Sequence, residues 1–253
     1  MFYPASEAAL REVVVSLLKR AKTKDRAERG VVVPHAGYVF SGPFAAEGFS
    51  ALRDALCSKK DVAVILLGPS HYVPFRGVAA DVHDQWRTPL GVVEVERASG
   101  LAALEQEGLL ARLPEAFVRE HSLEVQVPFL QAINPTVRIL PLLVGEVDED
   151  AARRVAQALR RAYPSSLWVI SSDWSHYLPE DVARRRDERA IKLVEALAVD
   201  RFGEVDACGR HPLLVLAQRC REEGCKPRLL AYGTSADSSG DTSAVVGYAA
   251  LAF

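Results

Sequence analysis

Three of the six histidines in this chain occupy one kind of position. "VVVPHAGY" sets His35 directly behind an apolar run, "LLGPSHY" does the same for His71, and "WVISSDWSHY" for His176. Converging imidazoles suit two kinds of chemistry. Neutral histidine is the commonest metal ligand, and two histidines with one carboxylate leave open positions for non-haem Fe(II) chemistry. A further histidine can then act as general acid or base. The plainer reading is that each ring caps a strand end or satisfies a nearby carbonyl, since intermediate burial is ordinary for histidine. That reading has to be repeated three times to account for the pattern.

Carboxylates able to join such a site are Asp173 in "SDWSH", Glu120 and Glu124 in "EHSLE", and Asp237 and Asp241 in "TSADSSGD". His121 and Glu124, three residues apart, are expected on one face at the start of a helix, either as a capping or ion pair or as part of the pocket. His83 and His211 follow no comparable pattern and read as surface or packing residues. The markers of rival chemistries are missing. "GPSHY" is not a GxSxG elbow, and neither GxxxxGK[ST] nor GxGxxG occurs. A triad of Ser70, His176 and Asp173 is open on composition alone, with no motif to support it.

The elements that must position these residues read as alternating strands and helices. Strands are expected at 30–33, 62–67, 77–82, 91–95, 137–144 and 167–171, with two more in "PRLLAYG" and "SAVVGYAALAF". Leu10, Val13, Val14, Leu17 and Leu18 give residues 8–22 an apolar helical face. A second helix is expected to enter through Ser41 as its cap with Pro43 in its first turn. Further helices are expected at 122–132, over "DEDAARRVAQALRRAY", and through most of 180–223, while "HDQWRTPLG" reads as a polar turn. This order implies a single α/β domain over 1–253, with a mixed, mostly parallel central sheet flanked by helices. In such sheets the ligand crevice lies beyond the carboxyl ends of the strands, so the loops holding His35, His71 and His176 are expected at one pocket.

Composition narrows the setting. The chain has 253 residues, 49% hydrophobic and 25% charged, with a formal net charge of −2, which is globular and offers no basic face for nucleic acid or anionic membrane. No secretory signal and no membrane-length apolar run is present, so a cytoplasmic location is expected. The four cysteines form no CxxC pair and read as reduced thiols. A small neutral or mildly charged ligand is left open by this composition.

Six co-linear stretches carry a resemblance: "PHAGYVFSG", "LLGPSHYVPFRGVA", "WRTPLGVVEV", "EHSLEVQVPFLQAI", "VISSDWSHY" and "YGTSADSSGDTSAVVGYAALAF". Together they resemble the Memo family, whose prokaryotic members are named AmmeMemoRadiSam system protein B and whose fold is similar to that of class III extradiol ring-cleaving dioxygenases. The resemblance implies a divalent metal, Fe(II) before Cu or Zn, on His35 and His71, with His176 as acid–base group oriented by Asp173. The family's third ligand falls in "TSADSSGD", where this chain has neither Cys nor Glu. Asp237 is the expected ligand there, with Ser238 beside it. Tyr38, Ser70, His121 and Glu124 are expected to line the pocket. Two functions follow from the resemblance: a metal-binding protein with dioxygenase-like activity, or a non-catalytic module for a peptide or partner protein. The system name implies a radical SAM protein and an AMMECR-type protein as partners.

Overall fold

Runs of Val, Ile and Leu form the strands, and the amphipathic stretches between them form the helices that cover the sheet. The computed structural model describes residues 2–58 and 62–253. The chain runs through helix α1 (Glu7–Arg20), strand β1 (Gly30–Val33), α2 (Tyr38–Cys57), β2 (Ala63–Pro69), β3 (Val78–Ala80), β4 (Gln85–Thr88) and β5 (Gly91–Val95). It continues through α3 (Ala102–Gln106), β6 (Leu110–Arg112), α4 (Pro114–Phe117), α5 (Val127–Ile133), β7 (Arg138–Val144), α6 (Glu149–Ala162), β8 (Leu167–Ser171) and β9 (His176–Leu178). The last part holds α7 (Glu180–Glu195), α8 (Arg210–Glu223), β10 (Arg228–Thr234), α9 (Ala236–Ser239) and β11 (Val245–Ala252).

The sheet order is β10-β11-β1-β8-β2-β7-β3-β6. Its centre, β1-β8-β2-β7, is parallel throughout, whereas β10, β11 and β3 attach antiparallel on the flanks. Val33 lies level with Ser171, and Leu67 level with Ile170. The segments that follow β1, β8 and β2 therefore leave the sheet side by side at one edge. These are the segments that carry His35, Asp173 and His71.

Central strands in this sheet are covered on both faces, and their side chains alternate between two cores. Val32, Ile65, Leu67, Leu140, Leu142, Trp168 and Ile170 join one core with Val155 and Leu159 of α6 and Leu213 and Leu216 of α8. Val31, Val33, Val64, Leu66, Ile139, Leu143 and Val169 join the other, with Leu10 and Val14 of α1, Phe49 and Leu52 of α2 and Phe129 of α5. Among the described residues no helix is long and apolar enough to cross a membrane.

Several boundaries differ from the sequence expectation for local reasons. Helix α2 starts at Tyr38 with Gly37 as its cap residue, and the Ser41 hydroxyl, instead of capping, donates back to the Ala36 carbonyl at 2.7 Å. Pro43 thus sits inside the helix, near enough to its start that only one early carbonyl loses its partner. The expected 122–132 helix is a 3-10 turn at Glu124–Gln126 leading into α5. The "HDQWRTPLG" stretch contains β4, which pairs with β5 across a tight turn where Gly91 takes φ 121°. The strand expected at 77–82 pairs only as Val78–Ala80, and β6 and β9, three residues each, had no periodic signal to announce them.

Candidate metal centre

His35 follows β1 and is almost completely buried. Its backbone N–H donates to Asp173 Oδ1 at 2.8 Å, which ties the loop after β1 to the loop after β8. Its ring orientation is set by Ser171, whose hydroxyl donates to the Ser122 carbonyl at 2.5 Å and accepts from Gln126 Nε2 at 2.9 Å. With its proton committed, Ser171 Oγ can only accept from His35 Nδ1, 2.8 Å away. Nδ1 therefore carries the ring proton and Nε2 is the unprotonated nitrogen, its lone pair turned toward the Cys208 thiol. Burial, followed by the neighbouring His71 and His121, pushes the pKa of His35 well below the usual imidazole value. At neutral pH this ring is an uncharged ligand.

His71 is held by a carboxylate. Glu120 Oε2 accepts the His71 backbone N–H at 2.6 Å, while Oε1 lies 2.9 Å from His71 Nδ1 and accepts the N–H groups of His121 and Ser122, each at 2.9 Å. Burial alone would raise this carboxyl, but the hydrogen bonds from the His71 side chain and backbone and from Ser122 outweigh it and hold it at about 2. Glu120 is thus ionised and accepts the hydrogen bond of the His71 Nδ1–H, which turns Nε2 of that ring away from the carboxylate. A carboxylate behind a histidine in this way fixes the tautomer and makes the ligand more basic.

The third imidazole is His121. Its ring centroid lies 5.1 Å from that of His71 and 5.6 Å from that of His35, and the latter two rings are 5.2 Å apart. One ligand atom from each of the three rings lies within 4.8 Å of the other two. Ligand nitrogens around a tetrahedral ion sit about 3.4 Å apart, given metal–nitrogen bonds near 2.0–2.1 Å, so a modest inward swing of the rings completes a site. His121 Nδ1 is buried with no hydrogen-bond partner, and burial lowers the pKa of the ring. A buried, uncharged nitrogen without a partner is costly unless something binds it. Phe2 stacks on the outer face of His121 at 4.1 Å, and its carbonyl accepts the Tyr38 N–H at 2.8 Å, so the N-terminal segment covers this side of the cluster.

Asp173 and Cys208 close the buried side. Asp173 Oδ2 lies 4.0 Å from His35 Nε2, and burial raises the pKa of this carboxyl, offset in part by the His35 backbone N–H and by His176. Cys208 Sγ is 3.2 Å from the same Nε2 and accepts the Asp173 N–H at 3.2 Å; burial, then the Asp173 charge, pushes this thiol up. The sequence alone marked Cys208 as an ordinary thiol, because its neighbour His35 is 173 positions away. An open cleft of about 380 Å³, walled by Val73, Phe75 and Val144, is lined by Ser70 and Cys208 but by none of the three clustered imidazoles. His176 opens β9 on the exposed rim, within electrostatic reach of His35 and Asp173. Tyr177 beside it is 78% exposed and held at φ 56°, a costly backbone state for a non-glycine residue.

The remaining candidates fall elsewhere. Asp237 is spent on its own turn: Oδ2 accepts the Thr234 N–H at 2.9 Å and Oδ1 faces Arg184 at 3.6 Å. It does not enter the imidazole group, because the segment after β10 turns into the short helix α9 and presents Asp237 to α7. Ser238 is exposed on that same turn, its N–H bonded to Ser235. Glu124 does not pair with His121; it accepts the Tyr3 hydroxyl. Tyr38 is buried beside it, donating to the Val125 carbonyl at 2.5 Å, and burial raises both phenols. The Ser70 hydroxyl donates to the Val73 carbonyl at 2.7 Å and shapes the loop that carries His71. Ser171 and Gln126 are the supporting residues to which sequence reading gave no role. Glu120 was a candidate carboxylate of the site, without the anchoring role it takes behind His71.

A parallel-centred α/β sheet gathers at its carboxyl edge three imidazoles that could hold a metal ion, with two buried carboxylates beside them. The chain belongs to the Memo-like family: that family's profile, described as Memo-like protein, matches residues 1–252. Among its relatives, a MEMO1 family protein of Nitrosopumilus maritimus is 34% identical over 100% of this chain and 96% of its own length. Another from Methanococcoides burtonii is 37% identical over 99% of this chain and 96% of its own. In structure the chain resembles an uncharacterized protein, JW3007, of Escherichia coli K12, with a TM-score of 0.58 at 12% identity, over 89% of this chain and 100% of that one. That likeness concerns the fold alone.

Proposed function

We propose that this protein is a metal-dependent enzyme in which His35, His71 and His121 hold one divalent first-row transition ion beside the cleft at Ser70 and Cys208. The observation that carries the reading is the donor set: the Nδ1–H groups of His35 and His71 are engaged by Ser171 and Glu120, and the buried Nδ1 of His121 makes no hydrogen bond, Glu120 Oε1 lying 3.7 Å from it. Three imidazoles in place of two imidazoles and a carboxylate weaken the case for Fe(II) and favour Cu(II) or Zn(II) by intrinsic affinity. When bound, such an ion supplies Lewis-acid polarisation of a substrate oxygen. The chain's own residues do the rest. Phe2 and the loops around Cys208 exclude water from the imidazoles, Glu120 keeps His71 in its ligating tautomer, and Asp173 positions the His35 backbone. His176, on the rim beside Asp173, takes or gives the proton of an entering substrate.

Metal content of tag-free protein, purified anaerobically and reconstituted with Fe(II), Cu(II) or Zn(II), tests this. One ion per chain is expected in the wild type, none in His35→Ala, His71→Ala or His121→Ala, and full occupancy in His176→Ala and Asp237→Ala. Wild-type protein that binds none of the ions better than the His35→Ala/His71→Ala double variant would show the proposal wrong. Loss of metal in Asp237→Ala with retention in His121→Ala would return the third position to the carboxylate.

A further inference from the structure

At the opposite end of the sheet from the imidazoles, α8 ends in a tight cap. Gly224 takes the left-handed conformation at φ 66°, and both its N–H and that of Cys225, at 3.1 Å, turn back to the Cys220 carbonyl. This closure brings together the side chains of the residue one turn before the helix end and the second residue past it, a contact that is usually apolar. Here both are cysteines. Cys225 packs against the core cluster that holds Cys220, and neither thiol is in a disulfide. Cys220 is 0% exposed within the core, whereas Cys225 is half-buried at its margin.

The surroundings of Cys225 are cationic. Arg29 and Arg219 both act on it, and they are linked through Glu223, whose Oε2 is 3.1 Å from Arg29 Nε and whose Oε1 is 3.2 Å from Arg219 Nε. The hydrogen bond from the Cys220 thiol, and then the Arg29 charge, lower the pKa of Cys225, while the same contact and burial raise that of Cys220. A half-exposed thiol that a helix cap sets against a second, buried thiol is the arrangement of a peroxide-sensitive pair.

We propose that Cys225 and Cys220 form a modification site for hydrogen peroxide, in which Cys225 is the thiol attacked first and Cys220 the thiol that resolves it. The Cys225 thiolate attacks one peroxide oxygen; the S–O bond forms, the O–O bond breaks, and hydroxide leaves. Cys220 then gives up its proton and attacks the sulfenic sulfur; the S–S bond forms, the S–O bond breaks, and the departing hydroxide takes the proton as water. Two thiols and one peroxide become one disulfide and two waters.

The test is to treat the reduced full-length protein with stoichiometric hydrogen peroxide, block free thiols with iodoacetamide and map the digest. Trypsin cleaves after Arg221, so the disulfide appears as a linked pair of peptides, two hydrogens lighter than their sum. The expected result is that this pair forms at least ten-fold faster than any product at the exposed Cys57 or the partly buried Cys208. Cys225→Ser should abolish the linked pair, and Cys220→Ala, folded by circular dichroism, should stop at a sulfenic acid on Cys225 that dimedone traps. Arg29→Ala should slow the reaction several-fold. Oxidation of Cys57 ahead of Cys225 in the wild type would overturn the proposal, as would sulfenic acid accumulating at Cys225 with no disulfide; neither outcome depends on how a variant folds.

Discussion

Glu120 is the residue on which the candidate centre depends most, because one carboxylate fixes a ligand ring and three backbone N–H groups. Glu120→Gln keeps the shape but replaces one acceptor by a donor aimed at N–H groups, which should cost about 3 kcal/mol of stability and roughly 10- to 100-fold in metal affinity. The pH dependence follows from the signs. The folded carboxyl sits at about 2 against an ordinary 4.5, so its contribution is complete above pH 4.5 and is lost as pH falls toward 2. His35 adds to the same trend: held neutral in the fold, it is protonated more readily in the unfolded chain, so acid below about 6.5 already favours unfolding. Thermal melting of both proteins from pH 7 to pH 2.5 should show the gap between them close below pH 4.5. A gap of constant size down to pH 3 would mean that Glu120 is not stabilising the fold as a carboxylate.

At the scale of elements, the centre depends on how closely β1 approaches β8. Gly30 opens β1, and a Cβ there would lie 2.1 Å from the Trp168 carbonyl oxygen and 2.5 Å from the Phe253 ring. Backbone cannot yield as a side-chain tip does, so Gly30→Ala must push β1 away from β8, at a cost of about 2 kcal/mol. Because β1 delivers His35 while β8 delivers Ser171 and Asp173, the same displacement should weaken metal binding. Gly203→Ala is the control, since nothing lies within 4 Å of a Cβ at that position. Urea denaturation with metal titration should separate the two. If Gly30→Ala is as mild as Gly203→Ala in both measurements, strand approach is not what places His35.

For the whole molecule, one sheet runs between two cores, and the imidazoles sit where three adjacent central strands end. Metal binding should therefore stabilise the entire fold. A ligand that binds only the native state adds about 4 kcal/mol at a free concentration 1,000 times its dissociation constant. Urea unfolding of the wild type should remain a single transition whose midpoint rises with added ion, and the midpoint of the His35→Ala/His71→Ala variant should not move. A rise of equal size in the double variant would place the ion elsewhere.

By itself the sequence determined the parallel centre of the sheet and the positions of His35 and His71, because buried parallel strands read as unbroken apolar runs and ligand loops follow their carboxyl ends. It also placed His121 and Glu120 side by side in "EHSLE". Tertiary structure alone decided which groups meet. The direction in which a loop turns after a strand is set by packing, and this is why His121 joins the cluster while Asp237 turns away to cap Thr234 and face Arg184. Hydrogen-bond direction is equally invisible in a sequence: that Ser171 must accept from His35, and so frees its Nε2, follows only once Ser122 and Gln126 are seen to occupy the other positions around that hydroxyl. The approach of the Cys208 thiol to His35 and the packing of Cys225 on the core beside Cys220 are of the same kind, one made by loops far apart in the chain and the other by a left-handed glycine between neighbours.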